Sequence, residues 1–186
     1  MTPAHPPEDS RSDPGLVEAA NAGEVAAFEA LYRRYRDWVV NLAFRFTRDR
    51  ELALDVLQDT FLYVLKKFPG FELHSNMKTF LYPVVRNLAI SAQSRSRRVS
   101  MGEGSTRRLA ARSDPEAAER RRQLADVVNR LPPGQREVLI LRFVDDLPLA
   151  AIATALGVPV GTVKSRLHAA LEGLRRDDVT KKYFEP

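Results

Sequence analysis

Apolar side chains recur at helical spacing through most of the chain, from residue 16 to about 91 and again from 114 to about 176. The clearest stripe, at residues 52–68, consists of Ala53, Val56, Leu57, Thr60, Phe61, Val64, Leu65 and Phe68. The best strand candidate, the apolar run at 138–144, follows a helix-entry signal and has no partner strand, so we predict a buried helix there. The pattern predicts an all-α fold.

Two segments interrupt this pattern. Residues 1–14 carry four prolines and several acids, which predicts a disordered tail. Residues 94–113 carry six arginines and one acid, which predicts a flexible basic linker. Asp114, Pro115 and Glu116 then form a helix-start signal. We therefore predict two small helical domains, 15–93 and 114–178, followed by a C-terminal tail at 179–186.

The helix predicted around residues 52–68 has a second face. At about 100° per residue, Asp55, Gln58, Asp59 and Leu62 fall together opposite the apolar stripe. This arrangement is typical of a solvated polar face. It also fits a docking face, on which two carboxylates and an amide would meet a basic partner and Leu62 would be an apolar anchor.

A helix is predicted near residues 77–92 after a loop at 69–76. Its predicted inner stripe is Leu81, Val84, Val85 and Leu88, and its predicted outer side is Thr79, Pro83, Arg86, Asn87 and Ile90. The aromatic residues here are Phe68, Phe71, Phe80 and Tyr82. Beside Lys78 and Arg86 they could stack on unpaired bases, or they could form core and rim packing. Pro83 predicts a kink or a later helix start, because an interior proline costs about 3 kcal/mol.

Residues 149–171 have the pattern of a helix-turn-helix, with Gly157 able to adopt the positive φ that ends the first helix. On the second helix, Lys164, Ser165 and His168 face outward, and Lys164 and Ser165 can reach base edges in a major groove. The backbone N–H groups near Thr162 suit a phosphate. Arg142 is a second phosphate candidate. The alternative is a helical hairpin that binds protein.

Composition narrows the chemistry. The chain has no cysteine and only three scattered histidines, so we predict no metal site, no cofactor and no catalytic centre. The first residues do not form a signal peptide, and no apolar run reaches the roughly 20 residues of a membrane span. A net charge of +5 permits a polyanionic partner.

Three segments together resemble a bacterial RNA polymerase sigma factor of the extracytoplasmic-function (ECF) class. Residues 27–68, including DVLQDTF, resemble the core-binding helices of region two, and residues 78–91 resemble the minus-ten recognition helix. Residues 131–176, including GTVKSRLH, resemble region four. The segments occur in the family's order, with the linker in the family's place. Pro83 departs from the family pattern, which usually has a polar or basic residue there.

The resemblance implies three sets of site residues. Those expected to bind core polymerase are Asp55, Gln58, Asp59 and Leu62. Those expected to hold the melted minus-ten element are Lys78, Thr79, Phe80, Tyr82, Arg86 and Asn87, with the loop at 71–76 receiving a flipped-out base. Those expected to contact the minus-thirty-five duplex are Arg142, Thr162, Lys164, Ser165, Arg166 and His168.

The implied function is transcription initiation, with the β′ and β subunits of bacterial core RNA polymerase and promoter DNA as partners. The resemblance also implies a cytoplasmic protein that an anti-sigma factor holds inactive, in some cases at the membrane. The alternative is a stand-alone helix-turn-helix regulator with an N-terminal dimerisation or effector domain. An enzyme would need a phosphate loop, metal cluster or nucleophile elbow, and the sequence has none of these motifs.

Overall fold

The computed structural model describes residues 9–99 and 115–181, which form eight helices and no strand. The helices are α1 (Asp13–Asn21), α2 (Val25–Thr47), α3 (Arg50–Leu65), α4 (Met77–Val99), α5 (Pro115–Arg130), α6 (Pro133–Phe143), α7 (Leu149–Leu156) and α8 (Val160–Arg176). The predicted all-α fold is confirmed. The chain divides into a first unit, Met1–Arg108, and a second unit, Leu109–Pro186. No helix in the described ranges combines the length and apolar character needed to cross a bilayer.

α2 is the central helix of the first unit and packs against α1, α3 and α4. Its side chains Leu31, Val39 and Leu42 are almost completely buried. α3 and α4 also contact each other, so the three helices enclose one core. Each fully buried aliphatic side chain stabilises the folded state by about 1.5–3 kcal/mol. Burial of these side chains therefore determines which arc of each helix faces the core and which remains exposed.

The apolar stripe predicted in α3 is buried at six of its eight positions. These are Ala53, Val56, Leu57, Thr60, Phe61 and Val64. Leu65 is 49% exposed, because it is the last helical residue and lies about 100° around the helix from its buried neighbour Val64. Phe68 follows the helix and lies in the α3–α4 loop, where it is half-buried.

α4 begins at Met77 as predicted and continues through Pro83 to Val99. The predicted inner stripe needs correction. The buried residues after the first turn are Leu81, Tyr82, Val85, Ala89 and Ala92, whereas Val84 and Leu88 are half-buried. The buried arc is turned toward Tyr82 because α4 packs against both α2 and α3. These contacts compensate for the backbone hydrogen bond that Pro83 cannot donate.

Residues 9–14 do not form the disordered tail that was predicted for 1–14; residues 1–8 lie outside the described ranges. α1 begins at Asp13, and the Ser12 hydroxyl accepts a hydrogen bond from the Gly15 amide. Arg11 forms ion pairs of 2.7 Å with both Asp9 and Glu24. Composition could not predict that residues 9–14 are ordered, because their ordered structure depends on partners elsewhere in the sequence.

Arg34 of α2 fixes the same segment from a second direction. It forms a 2.7 Å ion pair with Asp13 and donates to the backbone carbonyls of Asp9 and Arg11 at 2.7 and 2.8 Å. We call Asp9, Arg11, Asp13, Glu24 and Arg34 the N-terminal clasp. It attaches the start of the described chain to α2.

In the second unit, α5, α6 and α8 share a core cluster formed by Val127, Leu139, Ala170 and Leu174. α7 packs mainly on α8 and also contacts α6. It ends at Gly157, whose φ of 65° lies in the left-handed region, as the predicted helix-turn-helix requires.

The helix predicted at 138–144 is only partly buried. Val138, Leu139 and Leu141 are buried, but Phe143 and Val144 are 61% and 68% exposed. α6 ends at Phe143, and the chain then turns through Asp146, which has a positive φ of 54°. The end of α6 therefore exposes apolar side chains that the sequence pattern predicted to be buried.

Two predicted boundaries also differ. α4 runs six residues into the predicted linker 94–113, whose residues from 100 onward lie outside the described ranges. At the other end, Val179 packs against the core cluster of the second unit, and the buried Thr180 hydroxyl donates to the Leu174 carbonyl. The segment from 179 to 181 is thus part of the folded unit rather than a tail, and 182–186 lie outside the described ranges.

Replacing Gly157 by alanine should destabilise the second unit by about 1–2 kcal/mol, because a Cβ is disfavoured in the left-handed region. The new methyl group would meet no atom within 4 Å and would gain no packing. Gly161→Ala is the matched control, since that site is equally open but has no left-handed φ. Hydrogen exchange of α8 amides measures the difference, and equal protection in the two variants would contradict the expectation.

The N-terminal clasp should open in acid. Hydrogen bonds from the Arg11 side chain, and then from its backbone N–H, lower the pKa of Asp9 to about 2, and the Arg11 side chain lowers the pKa of Glu24. Because these pKa values are depressed on folding, the clasp stabilises above the ordinary carboxyl pKa of about 4. This contribution is lost as the pH falls through about 2.

A carboxyl NMR titration checks this directly. In Arg11→Gln the pKa of Asp9 should rise toward its ordinary value. The control is Arg33→Gln, which removes an exposed arginine paired with Glu29. In this variant the pKa of Asp9 should stay near 2. An unchanged Asp9 titration in Arg11→Gln would refute the assignment.

Candidate polymerase-binding and DNA-binding surfaces

The predicted docking face of α3 is fully presented to solvent. Asp55, Gln58, Asp59 and Leu62 are all exposed, and Leu62 is 53% exposed. We call these four residues the α3 face. The opposite side of α3 is anchored in the core, so the four side chains project from a rigid support.

The beginning of α3 is also fixed. Asp49 caps the helix, because its Oδ1 atom accepts hydrogen bonds from the amides of Glu51 and Leu52 at 2.8 and 3.0 Å. The preceding residue, Arg48, turns the chain with a φ of 56°. The carboxylates of the α3 face therefore have a defined position relative to the core.

Sequence reasoning missed the apolar residues beside the α3 face. Leu54 and Leu65 are 40% and 49% exposed, and their spacing from Gln58 and Leu62 places all four in one row along the helix. Asp55 and Asp59 form the adjacent row. The spacing at i, i+4, i+8 and i+11 was a signal that could have identified this row in the sequence.

The aromatic residues of the α3–α4 loop are mainly packing residues. Phe71 is buried, with ring centroids 5.4 Å from Phe68 and 4.8 Å from Phe80. Phe68 in turn lies 5.8 Å from Phe28 of α2. The sequence left two interpretations of these aromatic residues open, stacking on unpaired bases and core packing. Core packing describes Phe71 best.

The six residues predicted to hold the melted minus-ten element are not equally accessible. Asn87 is exposed, and Lys78, Phe80 and Arg86 are half-buried. Thr79 and Tyr82 are only 2% and 1% exposed. Thr79 had been assigned to the outer side of the helix, but it and Tyr82 face the core because the buried arc of α4 is turned toward them.

Thr79 has a structural partner at the start of α4. Its backbone N–H and its hydroxyl each donate to Oδ1 of Asn76 at 2.8 Å. The Asn76 carbonyl accepts from the Phe80 amide at 3.2 Å. Asn76 thus caps α4 and fixes the end of the loop that leads into it.

The other end of the loop is held by Asn21, a residue that sequence analysis did not select. Its Oδ1 atom accepts from the amides of Gly70 and Phe71 at 2.8 and 3.0 Å, and its Nδ2 atom donates to the Phe71 carbonyl at 2.9 Å. No sequence signal marked it, because it lies 50 residues from Phe71 and outside any motif. Glu72 and His74, between the two fixed ends, are exposed.

α8 presents the predicted reading residues of the helix-turn-helix. Lys164, Ser165 and His168 are exposed, whereas Thr162 is half-buried. The Ser165 hydroxyl donates to the Thr162 carbonyl at 3.0 Å, so reading a base would require its hydroxyl to rotate or to share that bond. The face is held by Val163, Ala170 and Leu174, which are buried.

The two arginines of this unit that were predicted to contact DNA both lie against other residues of the unit. Arg166 is half-buried and crosses the first turn of α6, where a Cβ on Gly134 would stand 3.3 Å from its guanidinium. Arg142 forms a 3.2 Å ion pair with Asp146 and lies over the ring of Phe143. Both guanidinium groups are therefore placed at the surface by neighbouring residues of the same unit.

The last turns of α8 carry one carboxylate, Glu172, beside two arginines, Arg175 and Arg176. Glu172 accepts a 2.7 Å hydrogen bond from Arg175, and this bond holds the pKa of its carboxyl below the usual range. Glu172 therefore remains ionised and offsets part of the basic charge near the end of the helix. Nearer the beginning of α8, Lys164 is a further exposed cation.

Known families and proteins match the chain along most of its length. Residues 31–99 match Sigma-70 region 2, and residues 121–174 match Sigma-70, region 4. The ECF RNA polymerase sigma factor SigW of Bacillus subtilis is 28% identical over 174 residues, covering 86% of this chain and 93% of SigW. SigL of Mycobacterium tuberculosis, also an ECF sigma factor, is 32% identical over 167 residues, covering 86% and 93%.

A solved structure agrees in fold. The sigma factor RpoE from Bartonella quintana, in complex with the anti-sigma factor NepR, gives a TM-score of 0.62 at 24% identity. The likeness covers 84% of this chain and 98% of that one.

The two matched regions, in this order, define an RNA polymerase sigma factor. Within that class the chain belongs to the ECF family. Its function is that of a transcription initiation factor that directs RNA polymerase to promoters. The stand-alone regulator is not favoured, because it leaves the region 2 match without a role.

Proposed function

We propose that the α3 face is the surface that binds core RNA polymerase, at the β′ subunit. The observation that carries this proposal is the isolation of two carboxylates and an amide on one exposed, capped helix beside an apolar row. Charged groups at such a surface steer and orient a basic partner, while Leu62 and its apolar neighbours supply area to bury.

The melted minus-ten element is proposed to bind the exposed part of the α3–α4 loop and the accessible side chains of α4. Lys78 and Arg86 would hold phosphates, while Phe80 and Asn87 would contact bases. Thr79 and Tyr82 take a supporting role in this proposal, because both side chains are buried.

The minus-thirty-five duplex is proposed to receive α8. Lys164, Ser165 and His168 would face the major groove, as in other helix-turn-helix proteins. The remaining predicted contacts, Arg142, Thr162 and Arg166, are assigned to phosphates at the edge of that surface. The β subunit of the polymerase would contact the same unit.

In this proposal the protein performs no bond chemistry and needs no cofactor. Linking two weak DNA-binding units raises the effective concentration of the second once the first is bound. The segment that follows α4, residues 100–114, contains three arginines and would follow the RNA path of the polymerase.

An anti-sigma factor is proposed as a further partner, and the cytoplasm as the location. RpoE of B. quintana, which has the same fold, is described in complex with an anti-sigma factor. Such a partner would act by covering the surfaces proposed for polymerase and DNA.

Removing the two charges of the α3 face should weaken binding to core polymerase on the order of a hundredfold, since each close interfacial charge pair contributes about 1.5 kcal/mol or more. The variant is Asp55→Asn/Asp59→Asn, which keeps side-chain size. Binding of the labelled full chain to purified bacterial core polymerase is measured by fluorescence anisotropy.

The matched control is Glu29→Gln/Asp37→Asn, which removes the same charge from two side chains of α2 that are 54% and 84% exposed. It should bind like the wild type. If the α3 variant also binds like the wild type, the α3 face is not the polymerase surface.

Lys164→Ala should relax base preference at one duplex position and lower holoenzyme affinity roughly tenfold, as expected for loss of about 1–3 kcal/mol of base discrimination. Reconstituted holoenzyme is used to select from a library of synthetic fork DNA in which the upstream duplex and ten unpaired bases are randomised. The selected DNA is then sequenced. Lys181→Ala, which removes a lysine beyond the end of α8, is the control. Identical duplex preferences in the two variants would exclude Lys164 from base reading.

A further inference from the structure

The loop between α3 and α4 is attached to the folded unit by a side chain from α1. Asn21 satisfies three backbone groups of the loop at once: the amides of Gly70 and Phe71 and the carbonyl of Phe71. Its amide side chain is thus used as donor and acceptor toward one short stretch of backbone. This is a specific geometry, because the donor and acceptor ends of the amide must both point at the loop.

We infer that Asn21 is a positioning residue for the recognition of unpaired promoter bases, acting through the backbone of the α3–α4 loop. The inference rests on the proposed function, which assigns the loop to the melted minus-ten element. It adds a residue that the family match does not include, since the Sigma-70 region 2 match begins at residue 31.

The α3–α4 loop needs such an anchor at its beginning. Gly70 has a φ of 95°, a conformation that gives the chain its sharp change of direction after Pro69. The next residue, Phe71, is fixed through its backbone by Asn21 and through its ring by Phe68 and Phe80. Both the backbone and the ring of Phe71 are therefore held by neighbouring residues.

The two anchors of the loop are separated by only a short stretch of chain. Asn76 fixes the far end of the loop through its contacts with Thr79. Only residues 72–75 lie between Phe71 and Asn76, and Glu72, His74 and Ser75 among them are exposed. Their backbone is held at both ends in advance, which lowers the ordering cost that base binding would otherwise carry.

Asn21 belongs to neither of the other two proposed surfaces. The α3 face lies on another helix, and α8 belongs to the other unit. Loss of Asn21 should therefore alter recognition of unpaired bases selectively, leaving polymerase binding and duplex recognition intact. A purely structural residue would weaken polymerase binding as well, because the α3 face belongs to the same unit as Asn21.

The test uses the full chain with core polymerase and the same randomised fork DNA. In Asn21→Ala, preference for the best base should fall three- to tenfold at one or two unpaired positions, with duplex preferences and core affinity unchanged. Asn21→Asp keeps the oxygen that accepts from both amides and should give an intermediate loss. Asn41→Ala, at an exposed asparagine of α2, is the control and should match the wild type.

Hydrogen exchange of the peptide spanning residues 69–76 provides the second measurement. Asn21→Ala should accelerate exchange at Gly70 and Phe71, while amides in the middle of α3 keep their protection. If Asn21→Ala does not fold, Asn21→Asp carries the same comparison.

Three outcomes distinguish a failure of the Asn21 inference from a failure of the proposed minus-ten assignment. If the wild type shows no preference among unpaired bases, the assignment of the loop to the minus-ten element fails. If the wild type shows one and the Asn21 variants keep it unchanged, Asn21 has no positioning role. An equal loss of unpaired, duplex and polymerase recognition would likewise overturn the inference.

Discussion

The packing of α2 between α1, α3 and α4 is the constraint on which the first unit depends. The buried stripe along α2 requires one arc of α3 and one broad arc of α4 to face it. Once those arcs are buried, the polar arc of α3 has no place except at the surface. The α3 face is therefore a consequence of core burial, and its rigidity comes from the same contacts.

The same core explains why the residues proposed to bind the minus-ten element divide into a buried group and an accessible group. α4 packs against two helices, so its buried arc includes Thr79 and Tyr82 as well as the aliphatic residues. The residues left at the surface, such as Lys78 and Asn87, alternate with buried ones along a single helix. A change in the core can thus alter the proposed DNA-binding surface without replacing an exposed residue.

Specific polar contacts then set the details that apolar packing leaves open. Asp49, Asn76 and Asn21 each bind backbone groups at the end of a helix or loop. In the second unit, the left-handed conformation of Gly157 performs the corresponding task between α7 and α8. These contacts are local and few, but they define how α3, α4 and α8 are presented.

The sequence alone determined the all-α class, the buried stripe of α3 and the helix-turn-helix, because these depend on spacing along one helix or on a single glycine. It also placed the polar residues of the α3 face together, for the same reason. Only the tertiary structure decided that Tyr82 is buried, that Phe143 is exposed and that residues 9–14 are ordered. Each of these depends on a partner from another element: the helices around α4, the turn after α6, and Arg34 of α2. Asn21 is the clearest case, because its partners lie 50 residues away and no local pattern records a contact that folding alone creates.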